Sequence, residues 1–313
     1  MTVVALAGGT GGAKLAHGLH LALPPGALTV VVNTGDDTER HGLLVMPDHD
    51  AVLYMLEGRF DHQRGWGIAH ETWTVMDELE QYGEPGWFRL GDRDFATHIA
   101  RGARLRAGAS LSEAVLGLQA ARGLGTRILP MADTPIRTEV RTDDGWLDFQ
   151  EYFVHRHQAP EVREVRLAGL PSARPSPLVL AALAAAEVIL IGPSNPIVSI
   201  GPILAVPRMR EAISSARSRG VPVVAVSPIV GGVALKGPAD RMLTSLGLES
   251  SALGVASIYA ELIDGFVFDE LDRSLEPAVV ALGLRTFVTD TIMTDEASRT
   301  GLARSVLEFA TTS

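Results

Sequence analysis

Two groups of residues have the types and spacing to do chemistry. The first is Gly8-Gly9-Thr10-Gly11-Gly12-Ala13-Lys14, which follows a short apolar run and opens a helical pattern through Leu23, ended by Pro24-Pro25-Gly26. A glycine-rich turn from strand into helix lets backbone N–H groups approach a phosphate, with the positive helix end behind them. The second is a set of four aspartates, Asp36, Asp37, Asp48 and Asp50, within a span of fifteen residues. Carboxylates beside a phosphate loop point to magnesium, which takes one or two carboxylates together with substrate phosphates. Each aspartate also has a plainer use: Asp36 and Asp37 in a turn, Asp50 as the N-cap of a helix over Ala51 to Glu57, and Asp94 as a cap ahead of Thr97. The glycine spacing fits neither a Walker A loop nor the dinucleotide fingerprint, since Lys14 stands where the latter needs its third glycine.

Other polar segments fall at comparable places. Asn33-Thr34 ends the second apolar run. Gly192-Pro193-Ser194-Asn195-Pro196 follows Val188 to Ile191, and Ser227-Pro228 with Gly231-Gly232 and Lys236 follows Pro222 to Val226. Ligands of open α/β sheets bind outside the carboxyl ends of the strands, so these loops are expected to line one crevice. Arg89 and Arg93 flank Asp92 and can offer bidentate contacts to phosphate or carboxylate. His17, His20, His155 and His157 show no zinc spacing and read as structural. The chain has no cysteine, which excludes thiolate catalysis and iron–sulfur clusters, and it has no Gly-x-Ser-x-Gly elbow.

The elements that position these residues are short apolar runs alternating with helical patterns. Strands are expected at Thr2 to Ala7, Leu28 to Val32, Arg127 to Leu129, Val188 to Ile191, Pro222 to Val226, Phe266 to Phe268 and Arg285 to Val288. Continuous apolar runs suit strands covered on both faces, hence a mainly parallel sheet in a three-layer α/β fold. Residues 50–125 read as helical throughout, a cap inserted into a single α/β domain spanning 1–313. Thr142-Asp143-Asp144-Gly145 marks a hairpin within Ile136 to Gln150. The 313 residues are 46% hydrophobic and 20% charged, a composition that folds. The net charge of -10 argues against nucleic-acid partners. Leu178 to Ile191, the longest apolar stretch, is broken by Glu187 and is too short for a membrane span. Met1 to Ala7 has no basic n-region, so no signal peptide is read and a cytoplasmic protein is expected.

Taken together, Gly8 to Leu15, Asn33-Thr34, Pro47-Asp48-x-Asp50, Leu90-Gly-Asp-Arg-Asp94 with Thr97-His98, Leu129-Pro-Met-x-Asp133, Phe149-Gln150, Ile191 to Pro196, Ser199 to Pro202 and Ser227-Pro-Ile resemble the 2-phospho-L-lactate transferase family of deazaflavin coenzyme F420 biosynthesis. The similarity runs on through Phe266 to Asp269 and Asp290 to Met293. It implies a Rossmann-like fold and a magnesium-dependent transfer, in a homodimer. A phospho-lactyl or phospho-enolpyruvyl group would pass from a guanosine-diphosphate-activated donor to the ribityl hydroxyl of the deazaflavin riboside Fo, releasing GMP. On this reading Asp48 and Asp50 are catalytic and Asp48, Asp50 and Asp94 hold Mg2+. Asp50, Arg89 and Arg93 bind the deazaflavin, and Gly8, Gly9, Thr10, Gly11, Gly12, Lys14, Asn33, Thr34, Ser194 and Asn195 bind the donor. One departure is Gly35-Asp36-Asp37 where archaeal relatives carry Ala-Glu-Asp; acidity is kept. The glycine loop and Asn-Thr element are also similar to those of gluconeogenesis factors, which implies the alternative of a nucleotide-sugar-binding regulator. An NAD-dependent oxidoreductase is disfavoured by Lys14.

Overall fold

The computed structural model describes residues 1–312. Each of the seven expected apolar runs forms a strand: β1 (Val3–Ala7), β2 (Leu28–Val32), β3 (Arg127–Pro130), β4 (Val188–Ile191), β5 (Val223–Val226), β6 (Gly265–Asp269) and β7 (Arg285–Thr289). They make one sheet in the order β7-β6-β5-β4-β1-β2-β3, with every neighbouring pair parallel. All five residues of β1 are buried, because helices cover both faces. Its alternate side chains enter two separate cores: Val4 and Leu6 pack with Val31, Ile189 and Ile191, whereas Val3, Ala5 and Ala7 pack with Val30, Leu190 and Val224. The sheet is thus the middle layer of a Rossmann-like three-layer fold. Its strand order reverses between β1 and β4, the place where such sheets open a crevice.

The helices are α1 (Gly9–Ala22), α2 (Pro47–Leu56), α3 (Thr74–Gln81), α4 (Asp92–Arg106), α5 (Leu111–Ala121), α6 (Pro177–Ala185), α7 (Ile200–Ala205), α8 (Met209–Ser218), α9 (Ala239–Ser245), α10 (Ala252–Tyr259), α11 (Glu276–Ala281) and α12 (Glu296–Thr311). Among the described residues, none is long and apolar enough to cross a membrane. Helix α1 lies against both α2 and α12. It approaches α12 closely at Gly18, where a Cβ would run into the carbonyl oxygen of Arg299 and lie 3.1 Å from the Ala303 Cβ. Gly18→Ala is therefore expected to cost about 1–3 kcal/mol through overpacking, despite the better helix propensity of alanine. Urea unfolding checks this, and an unchanged midpoint would rule out this helix crossing.

Three expectations need correction. Residues 50–125 are not helical throughout: between α2 and α3 the chain makes turns and one isolated bridge, Phe60 to Ile68, and helix resumes only at Thr74. Gly58, Gly65 and Gly67, all at positive φ, interrupt the helical pattern there. The two following helices cap each other. The Asp92 carboxylate accepts from Thr74 N and Val75 N, and Glu71 accepts from Arg93 N and Asp94 N. Asp94 therefore lies inside α4 and is not a cap. Likewise α2 begins at Pro47, so Asp50 is within its first turn rather than at its N-cap.

The expected hairpin forms from Arg137–Thr142 and Gly145–Asp148, and a third strand, Glu164–Ala168, adds to its other edge. That third strand was not expected from the sequence.

Candidate active site

A cavity of about 670 Å³ opens at the carboxyl ends of the strands, beside the β1/β4 switch point. Its base is the glycine segment, which is mostly the first turn of α1 rather than an open loop. Gly8 precedes the helix without a side-chain cap, and Gly9 takes φ +60. The first turn of α1 carries no acidic residue of its own, and the acidic group at its positive end is Asp48 from α2, on Gly9 N.

Part of the glycine richness serves packing. A Cβ on Gly11 would strike the carbonyl of Pro193, and one on Gly12 would strike the Ser194 hydroxyl. Ser194 clamps the same turn, donating to Gly8 O at 2.7 Å and accepting from Gly8 N at 3.1 Å. The Asn195 side-chain oxygen accepts from Ile197 N at 2.8 Å and folds its own loop. Gly8, Gly9, Thr10, Gly11, Lys14, Ser194 and Asn195 all line the cavity, whereas Gly12 does not.

The aspartates separate into two groups. Asp48 is buried, and its carboxylate accepts from Gly9 N at 2.7 Å and from the Asn33 amide at 2.9 Å. Burial pushes its pKa up to about 6, although these two hydrogen bonds oppose the rise. Asn33 is fully buried outside the cavity lining; it also donates to Val198 O at 3.1 Å, so it holds Asp48 in place. Thr34 is buried, does not line the cavity, and has no hydrogen-bond partner for its hydroxyl. Asp36 does line the cavity. Burial first, and then the charge of Asp48, pushes its carboxyl well above the usual range. Burial raises Asp37 as well, against the charges of Arg137 and Arg101.

Asp50 faces the other way. Its two oxygens accept from Arg101 Nη1 at 2.7 Å and Nη2 at 2.9 Å, a bidentate pair with no exposure at the arginine. Burial would raise the Asp50 pKa, but the Arg101 charge and the hydrogen bonds from His49 and Arg101 hold it well below the usual carboxylate range. Arg101 also donates to Leu44 O and touches His98 Nδ1 at 2.8 Å. Across from Asp50, the Tyr54 hydroxyl donates to Asp94 at 2.6 Å, and His98 Nε2 stands 3.2 Å from the same carboxylate. Ligand atoms of Asp50, Asp94 and His98 lie within 4.8 Å of one another, all buried. His98 Nε2 has no hydrogen-bond partner among the described residues. Arg101 can only donate, so His98 Nδ1 accepts and Nε2 carries the proton that faces Asp94; the ligands this cluster offers a divalent cation are then the carboxylate oxygens of Asp50 and Asp94, the hard donors that magnesium takes. Asp48, expected in the metal set with Asp50 and Asp94, is not one of the three grouped residues.

The opposite wall is aromatic. Trp66, Trp87, Phe88, Phe149 and Phe153 line the cavity, and the Trp87 ring is sandwiched by His155 at 4.8 Å and the Arg40 guanidinium at 4.5 Å. Such a wall suits a planar ring system. Arg89 lines the mouth and is held by Asp77 at 2.7 Å and Glu80 at 3.3 Å, over the Trp73 ring. Arg93 is exposed on the first turn of α4 and does not line the cavity, because the helix turns its side chain outward from Asp94.

Sequence reasoning missed Tyr54, Arg101 and the aromatic wall as site residues, and treated His98 only as part of a motif. A signal was present for some of these. Asp94, His98 and Arg101 follow an i, i+4, i+7 pattern on α4, as do Asp50 and Tyr54 at i, i+4 on α2, so each set shares one helix face.

The family model described as 2-phospho-L-lactate transferase CofD matches residues 3–287. The chain is 45% identical over 317 residues to a phosphoenolpyruvate transferase of Kitasatospora aureofaciens, covering 99% of this chain and 98% of that one. It is 42% identical over 306 residues to a 2-phospho-L-lactate transferase of Methanosarcina mazei, covering 98% and 99%. Among solved structures, a upf0052 family member from Bacillus halodurans superimposes with a TM-score of 0.65 over 98% of both chains at 16% identity, a likeness of fold alone.

Proposed function

The chain belongs to the 2-phospho-L-lactate transferase CofD family, and from that premise we propose that it transfers a phospho-lactyl or phospho-enolpyruvyl group from a guanosine-diphosphate-linked donor to the terminal ribityl hydroxyl of Fo, with GMP leaving, in deazaflavin coenzyme biosynthesis. The observation that supports this most is that one cavity is lined both by the α1 N-terminus with Lys14, which suits a diphosphate, and by tryptophan and phenylalanine, which suit a planar ring.

Phosphoryl transfer asks little covalent chemistry of a protein; positioning and charge stabilisation do most of the work. Gly9 to Gly11 and Lys14 would bind the diphosphate. Asp48 is tied to Gly9 and to Asn33 at the cavity wall, and with the acceptor bound beside it a carboxyl group with a pKa near 6 would take the hydroxyl proton. Asp50 is kept ionised by Arg101 and would orient the acceptor together with Arg89 at the mouth. Asp50 and Asp94 would hold Mg2+, which would supply positive charge to the phosphate oxygens when bound, with His98 bridging Arg101 and Asp94 beside them. The apolar wall excludes water, which would otherwise compete as the nucleophile.

The test is to mix the protein with Fo and freshly made lactyl or enolpyruvyl donor, following GMP by chromatography and the product by mass spectrometry. GMP release that needs both Fo and magnesium, and that stops on adding EDTA, is expected. No product with either donor would overturn the reading.

A further inference from the structure

Of the 27 basic residues in the chain only two are lysines, Lys14 and Lys236, and both line the same cavity. They come from distant parts of the sequence, α1 and the loop before α9. Each ammonium donates to a backbone carbonyl only: Lys14 to Met293 O at 2.7 Å, and Lys236 to Gly65 O at 2.5 Å. Among the described residues neither is paired with a carboxylate. The cavity's arginines differ, since Arg64 is paired with Asp61 and Arg89 with Asp77 and Glu80. Behind Lys14, the buried Arg299 also lacks a carboxylate partner among the described residues, touching only Met55 Sδ and His62 Nδ1.

A carbonyl dipole solvates an ammonium without neutralising it, so both lysines line the cavity with no ion-pair partner of their own among the described residues, Asp48, Asp50 and Asp94 being engaged elsewhere. Solvent lost at the cavity wall, and then a neighbouring cation, holds each lysine below its usual range: Arg299 acts on Lys14, and Lys14 acts on Lys236. A ligand with two negative charges would relieve this repulsion, and the α1 N-terminus adds a further partial positive charge in the same region.

We propose that Lys14 and Lys236 together clamp a doubly charged, phosphoryl-bearing group of the donor, with Lys236 giving up Gly65 O to reach it. Assigning that group to the donor rests on the function proposed above; the binding itself does not. The chemistry is shared by the nucleotide diphosphate and by the phosphorylated three-carbon acid.

Reductive methylation separates these sources, because only Lys14, Lys236 and the terminal amine can react. The protein is labelled alone and with GDP, 2-phospho-L-lactate or uncharged guanosine, and the modified peptides are quantified by mass spectrometry. Protection of both lysines by GDP places the diphosphate in the clamp; protection by 2-phospho-L-lactate places the three-carbon end there. In either case guanosine should protect neither. Equal labelling of both lysines with every anion overturns the clamp. Lys236→Met is expected to weaken binding of the protecting anion by about tenfold or more, and Lys236→Arg, which keeps the charge, to stay within a few-fold. Binding unchanged in Lys236→Met also overturns it. Protection without GMP release from the wild-type protein would instead reject the transfer reaction and leave the clamp standing.

Discussion

Arg101→Met is expected to destabilise the protein by about 3–5 kcal/mol, the cost of leaving a buried charge without its partner. Arg101 has no exposed surface, and both of its terminal nitrogens bond Asp50. Removing the guanidinium strands an ionised carboxylate in the interior and also frees Leu44 O and His98 Nδ1. Arg101→Lys keeps the charge but cannot reach two carboxylate oxygens, His98 and a carbonyl at once, so its loss should fall between the two. The control is Asp50→Asn combined with Arg101→Met, which removes both charges. That double variant is expected to be more stable than Arg101→Met alone, because the stranded charge is gone. Urea unfolding followed by circular dichroism measures all four proteins. A loss below about 1 kcal/mol in Arg101→Met, the range of exposed ion pairs, would show that the pair is not buried as described.

Arg101 also marks the limit of what the sequence disclosed. The central strands were legible because they are nearly continuous apolar runs bounded by turn residues, the signature of strands covered on both faces, whereas the edge strand β7 has only Phe287 and Val288 and is half-buried along its length. The loops after β1, β2, β4 and β5 were recognisable from glycine, proline, asparagine and serine, and the parallel sheet brings them to one end. What the sequence could not give was direction around a helix. Asp48 and Asp50 look like a pair, and on a strand they would share a face. Because α2 starts at Pro47 they are helical i and i+2 positions, which do not face each other. Asp48 therefore meets α1, and Asp50 meets α4. The partners of Asp50 come from the α4 face carrying Asp94, His98 and Arg101, and nothing local in residues 92–101 says which core that face addresses. The strand Glu164–Ala168 was missed for a different reason: it is a short edge strand with only Val165 and Leu167 on its covered side, both half-buried, so its alternation runs over too few residues to stand out.

Asp48→Asn is expected to lower turnover by about 10²- to 10⁴-fold, the range of a lost general base, and yet to raise stability at pH 8. The sign follows from the folded-state pKa. Burial raises Asp48 from 3.8 to about 6, so the folded protein binds this proton more tightly than the unfolded chain does. That contribution favours the fold when pH lies below the unfolded value, and it is lost as pH rises through about 6. At pH 8 the ionised carboxylate costs about 3 kcal/mol relative to its protonated state, by linkage. Asparagine carries no charge to desolvate. It can accept from Gly9 N or from the Asn33 amide but not from both as the carboxylate does, a loss of about 1 kcal/mol. The net expectation is a gain of about 1–2 kcal/mol at pH 8 from these two terms, shrinking to nothing or reversing near pH 4, where wild-type Asp48 is protonated. Asp36 and Asp37 are raised by burial and also by the charge of Asp48, so comparing the two unfolding curves across pH reads position 48 together with the relief of these two neighbours, which adds to the gain at pH 8. Asp48→Asn less stable than wild type at pH 8, or as active as wild type, would remove Asp48 from the chemistry. A gain in stability with a loss of turnover would mean that the fold tolerates a carboxylate here against its own stability, the trade expected where a buried charge is kept for a reaction.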